Sequence, residues 1–167
     1  EYNTRRGQCE EGVRLLQEAL PDITALRDVT PAQLEAHKEL LPEDVYRRCR
    51  HVVTEDARVL EAVEAMEAGD HARLGALLNA SHESLKDDYE VSCSELDLMV
   101  ELARKQPGVY GSRMTGAGFG GCTISLVVEE HARDFVRSVG HAYEEATGLH
   151  WEIYVSETSE GACEVSA

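Results

Sequence analysis

The residues best suited to chemistry lie between Tyr110 and Val128, in the stretch YGSRMTGAGFGGCTISLVV. Five of the chain's 13 glycines fall within Gly111–Gly121, more than one tight turn needs. Glycine adopts positive φ freely and lets a second backbone or a ligand come close. Such a loop offers backbone N–H groups that hold phosphate oxygens without any basic side chain. Gly116, Gly118 and Gly121 also spell G-x-G-x-x-G. Two well-known phosphate loops do not fit, however. A Walker loop ends in Gly-Lys and then Ser or Thr, whereas Gly121 is followed by Cys122 and Thr123. A dinucleotide loop follows a strand and opens a helix, whereas these glycines open CTISLVV, which alternates as a strand does. The bland reading is a glycine-rich hairpin between two strands, with Phe119 at its centre as an anchor or a wall.

The elements that must position this loop follow from periodicity. A polar-rich amphipathic helix is expected from Thr4 to Leu20, ending at Pro21. Thr30 and Pro31 read as the N-cap and first residue of a second helix. Pro42 starts a longer one, with Val45, Cys49, Val52, Val53, Leu60, Val63 and Met66 as its inward stripe and Gly69 as its stop. Asp70 caps the next, whose buried side is Leu74, Leu77, Leu78 and Leu85. Ser92 or Ser94 opens another, with Leu96, Met99, Val100 and Ala103 inward. The period then changes. Residues 122–128 alternate as a strand, Val109 to Met114 is a weaker strand, and residues 150–156 alternate again as a third. Between the last two alternating runs lies a helix carrying Phe135, Val136, Val139 and Tyr143, capped by Gly148. Helices packed on one face of a small antiparallel sheet, an α+β domain, is the expected architecture.

Composition narrows the partners. The chain of 167 residues has 16 basic and 32 acidic side chains, a net charge of −16, which repels a nucleic-acid backbone. Cys9, Cys49, Cys93, Cys122 and Cys163 form no C-x-x-C pair, so reduced cytosolic thiols are expected rather than a zinc site or a disulfide framework. No apolar run is long enough to span a membrane. The histidines show no metal-ligand spacing, and Asp87, Asp88 and Glu90 read as a solvated helix end. Arg5 reads as helix surface, and Arg113 as a candidate for a salt bridge across a domain interface. The opening EYNTRRGQCEE reads as the middle of a longer sequence.

The stretch GSRMTGAGFGGCTISLV resembles the C-terminal glycine motif of the galactokinases, members of the GHMP small-molecule kinase superfamily. SHESLKDDYEVSCSELDLMVELA, from Ser81 to Ala103, is similar to the segment that precedes that motif, and EYNTRRGQCEEGVRLL, from Glu1, to the start of their C-terminal half. The three stretches occur in the family's order and cover nearly the whole chain. Two departures stand out: Ala117 where many members have glycine, a change a related N-acetylgalactosamine kinase group tolerates, and Ser94 where proline is common.

The resemblance implies one GHMP-kinase C-terminal domain over residues 1–167, of ferredoxin-like type, with the N-terminal catalytic half outside this chain. It implies transfer of the γ-phosphoryl group of ATP to the anomeric hydroxyl of galactose, with Mg2+ held mainly by the missing half. Thr115, Gly116, Ala117, Gly118, Phe119, Gly120 and Gly121 would form the phosphate or active-site loop, and Tyr2 would bind the sugar. Gly118 is expected to face a ligand or a partner loop, and Gly121 to adjoin core packing. No catalytic residue and no metal ligand is assigned here, since the serine-rich phosphate loop and the catalytic aspartate of the family are absent. The expected partners are galactose, ATP and the N-terminal half of the same kinase. A cytoplasmic monomer when complete is implied, and no activity for this chain alone. Other readings are an N-acetylgalactosamine or other sugar-1-kinase, and a catalytically silent sugar and ATP sensor.

Overall fold

The computed structural model describes residues 1–158; Cys163 lies outside the described residues. The elements run α1 (Tyr2–Leu16), α2 (Pro31–Ala36), α3 (Glu43–Glu67), α4 (His71–Asp87), α5 (Ser94–Arg104), β1 (Val109–Thr115), β2 (Cys122–Val127) and α6 (Ala132–Thr147). This is the α+β arrangement expected. Boundaries follow local chemistry. Thr30 caps α2 in a capping box with Gln33, and Pro31 takes the first helical position. Asp70 accepts the Arg73 amide at 2.9 Å to cap α4. Gly148 ends α6 at φ +70°, a left-handed conformation that favours glycine.

Three apolar clusters hold these elements. Leu16, Leu34, Val45, Cys49 and Val53 join α1, α2 and α3. Gly12 permits close approach there, since a Cβ on it would lie 2.1 Å from Cys49 Sγ. Val91, Leu96 and Met114 join the α4–α5 linker to α5 and β1. Ala103, Phe135 and Val139 join α5 to α6. The inward stripe expected on α3 holds only in its first half. Leu60, Val63 and Met66 are 66%, 43% and 58% exposed, while Ala65 among them is fully buried, so in the last turns the covered face carries alanine and the large apolar side chains point outward. On α4 the fully buried positions include Ser81, His82 and Ser84, while Leu74, Leu77, Leu78 and Leu85 are only partly buried.

β1 and β2 pair antiparallel, with Ser112 opposite Ser125 and Met114 opposite Thr123. Ser112 and Met114 are fully buried, whereas Ile124 is 55% exposed. The less apolar face of β2 therefore turns toward the helices. The third strand expected over residues 150–156 does not form a ladder. Its alternation still works: Trp151 stacks over Gly140, and Ile153 packs on the α5–α6 cluster. A strand needs hydrogen-bonding partners as well as alternation. Between this segment and β2 runs instead a groove of about 880 Å³, floored by Leu96, Met99, Phe135 and Val139.

Candidate functional site

The glycine stretch is the turn between β1 and β2. Gly116, Gly118, Gly120 and Gly121 have φ of +81°, +81°, +120° and +100°, and Phe119 itself has φ +56°. Ala117 is not among the positive-φ residues, which explains in backbone terms why alanine is accepted there. One amide of the turn is committed to the protein: Phe119 N–H donates to Val91 O at 2.7 Å. Those of Gly116, Ala117, Gly118, Gly120 and Gly121 take no part in the backbone hydrogen bonds of the turn among the described residues. Amides so arranged suit an anion.

The expected contrast between Gly118 and Gly121 is inverted. A Cβ on Gly118 would lie 2.1 Å from Val91 O and 3.0 Å from Met114 Cε. Gly118 is thus dictated by packing inside the domain. Among the described residues, nothing beyond the chain neighbours lies within 4 Å of the Cβ position of Gly121, Gly116 or Gly120. These three face open space. Phe119 is 46% exposed and, with Gly120 and Gly121, lines the end of the groove beside β2, a wall rather than a buried anchor.

Tyr2 opens α1 and is 64% exposed. One linker, residues 88–93, ties α1 to the turn. Arg5 Nε donates to Tyr89 O at 2.7 Å and an Arg5 Nη to Glu90 O at 3.1 Å, so Arg5 is an interior anchor and not helix surface. Val91, next in the linker, holds Phe119. Asp88 and Glu90 are likewise no solvated helix end. Arg48 donates to Glu90 at 2.6 Å, Arg47 pairs with the same carboxylate, and Arg50 pairs with Asp88. Burial works against the Glu90 charge, but the Arg48 and Arg47 guanidiniums outweigh it and hold its pKa below the usual range. His51 accepts or donates at 3.0 Å with Ser84 Oγ and stacks on Tyr89. Burial pushes it down to about 4, so it is neutral at pH 7.

Arg113, two positions before the end of β1, has a partner within this domain. Its Nη1 lies 3.1 Å from Glu55 of α3, within the same domain. Burial pushes the Cys49 thiol up to about 12, which makes it a core residue and no nucleophile. No cluster of three His, Cys, Asp or Glu suited to a metal occurs among the described residues, and the turn carries no carboxylate. The donor set here therefore does not fit a magnesium site. The residues reasoning from sequence missed are those that brace the turn: Val91, Asn79 and His82. Their signal is tertiary, because a backbone carbonyl or a helix side chain meeting a strand edge leaves no local pattern.

A family model described as GHMP kinases C terminal matches residues 62–145. The chain belongs to the GHMP kinases. It is 50% identical to a galactokinase of Roseiflexus sp. over 96% of its length, and 46% identical to one of Bacillus subtilis over 98%. It spans only 41% and 42% of those two proteins. It also superposes on a Lactococcus lactis galactokinase crystallised with galactose, with a TM-score of 0.86 and 45% identity. That match covers 89% of this chain and 38% of the crystallised one. The GHMP-kinase C-terminal domain thus shares its fold with a solved relative over most of the chain.

Proposed function

We propose that residues 1–167 form the C-terminal domain of a galactokinase, which moves the γ-phosphoryl group of ATP to the anomeric hydroxyl of galactose and yields galactose 1-phosphate. The observation that carries this reading is the similarity to galactokinases along almost the whole chain, at 50% identity to the Roseiflexus protein. The geometry agrees with it. Phosphoryl transfer depends mainly on positioning and on donors aimed at phosphate charge. The turn at 116–121 contributes backbone donors, with no side chain at Gly116, Gly120 and Gly121 to crowd a phosphate. Tyr2 offers a phenol that sets its ring against a sugar face and its hydroxyl on a sugar oxygen. Both are tied to the 88–93 linker, so the sugar-side helix and the phosphate-side turn share one support.

The remaining roles belong to the part of the polypeptide outside this chain. The base that takes the hydroxyl proton and the magnesium ligands are assigned there, where magnesium supplies charge to the phosphate oxygens. In the complete protein we place galactose, ATP and that N-terminal part as the partners, in a cytoplasmic monomer. The test uses the full-length polypeptide with ATP, Mg2+ and galactose. Galactose-dependent ADP release with phosphate on the anomeric carbon supports the reading, and residues 1–167 alone give none. Efficient phosphorylation of N-acetylgalactosamine but not galactose, or tight binding of both ligands without turnover, would replace it.

A further inference from the structure

β1 has β2 along one edge. Its other edge lies against α4, where side chains take the place of a neighbouring strand. Ser112 N–H donates to Asn79 Oδ1 at 3.0 Å, and Met114 N–H donates to His82 Nδ1 at 3.3 Å. The fit is close, since a Cβ on Gly111 would lie 2.1 Å from Gly75 O. His82 is 2% exposed and Met114 fully buried, so no water competes for this amide. The other ring nitrogen, Nε2, lies 3.4 Å from Asp97 Oδ1 at the start of α5. Asp97 is in turn fixed by Ser92 Oγ at 2.6 Å and Lys86 Nζ at 3.1 Å.

We infer that His82, in its neutral Nε2–H form, is a positioning residue for the glycine turn, fixing the strand that delivers Thr115 and the residues after it. The tautomer follows from the partners. Nδ1 must keep its lone pair to accept from Met114, so the proton sits on Nε2, toward Asp97. Protonating Nδ1 would set two N–H groups against each other in a dry site. Met114 would then have to move, and Met114 is no passive neighbour: its Cε comes 3.0 Å from the Cβ position of Gly118. Displacement there reaches the turn directly.

The charges around the ring come from both helices. Burial opposes the imidazolium most strongly, and Arg104 of α5 and Lys86 of α4 also oppose it. Asp97 of α5 and Glu83 of α4 favour it, and the balance leaves the pKa below the ordinary histidine value. β1 presents the Met114 amide. The anchor is therefore intact at neutral pH and lost on the acid side.

The anchoring stands without the kinase reading, while its catalytic consequence rests on that reading, so the test has two arms. The first is 15N NMR of the 167-residue chain. A neutral Nε2–H tautomer, with the Met114, Gly118 and Phe119 amides shifting as His82 titrates, supports the inference. An Nδ1–H tautomer, or turn amides that stay still while His82 titrates, overturns it. The second arm compares variants in the full-length enzyme. His82→Asn puts an amide oxygen near the place of Nδ1 and cannot titrate; His82→Leu removes the acceptor. The expected result is a kcat about tenfold lower or worse for His82→Leu with KM values nearly unchanged, since small misplacements fall on turnover. His82→Asn should recover most of that loss and lack the acid-side decline due to His82. Equal kcat and equal pH profiles in both variants would overturn the proposal. Absence of galactose-dependent turnover in the unmutated enzyme would sink the kinase reading alone, and the NMR arm would still decide the anchoring.

Discussion

Replacing Gly118 by alanine sets a methyl group where Val91 keeps its carbonyl oxygen. Two costs follow from the geometry. At φ +81° a residue with a Cβ carries a penalty of about 1–2 kcal/mol. The methyl would also sit 2.1 Å from a backbone oxygen, which cannot rotate away as a side chain would. Overpacking of that kind costs about 1–3 kcal/mol. The sum is about 2–5 kcal/mol, and relief by moving the linker would break the Phe119–Val91 hydrogen bond instead. Gly121→Ala meets nothing within 4 Å among the described residues beyond its chain neighbours, so only the backbone penalty at φ +100° applies, again about 1–2 kcal/mol. In a domain of this size each kcal/mol lowers Tm by about 2–4 °C. Thermal and urea unfolding of the chain should therefore show Gly118→Ala lower by on the order of 10 °C, and Gly121→Ala lower by only a few degrees. A Gly118→Ala variant as stable as Gly121→Ala would mean that the turn does not pack on Val91 as described.

Three further outcomes are expected. In the proposed galactokinase, Tyr2→Phe in the full-length enzyme should cost one hydrogen bond to sugar, about 1 kcal/mol, so the galactose KM should rise several-fold while the ATP KM holds; steady-state kinetics with both substrates checks this, and the reverse pattern would remove Tyr2 from the sugar site. Thr30→Ala removes the cap that accepts from the Gln33 amide and should cost about 1 kcal/mol in urea denaturation, with no change in kcat. The folded pKa of His51 is lowered from 6.5 to about 4, so its neutral form stabilises the fold fully above pH 6.5, and that contribution fades as pH falls toward 4. His51→Gln should make stability flatter across that window, and an unchanged slope would show that His51 is not the group that titrates.

Elements with a local cause were legible in the sequence. Thr30-Pro31, Asp70 and Gly148 announce helix ends through capping chemistry, and 122–127 announces a strand by alternation. The turn itself was legible because positive φ at four positions demands glycine. What failed depends on partners distant in the chain. Alternation at Trp151 and Ile153 does make an inward face, but a ladder needs a neighbour that the described residues do not supply. Leu60, Val63 and Met66 lie on a face that the last turns of α3 leave exposed, while Ala65 takes the covered one. Asp88, Glu90 and Arg5 look like surface charges until the arginines of α3 and the linker backbone are brought together. Gly118 and Gly121 are indistinguishable by type, and only the position of Val91 separates them. The same holds for His82, whose role depends on a strand amide 32 residues away.

In the proposed galactokinase the turn meets the phosphates of ATP. Glycine-selective 15N labelling of the full-length protein, titrated with a non-hydrolysable ATP analogue and Mg2+, tests it most directly. The amides of Gly116, Gly120 and Gly121, which face open space, should shift strongly, while those of Gly7, Gly69 and Gly148 stay in place. Saturable binding of the analogue that leaves the three turn amides unmoved would contradict the account.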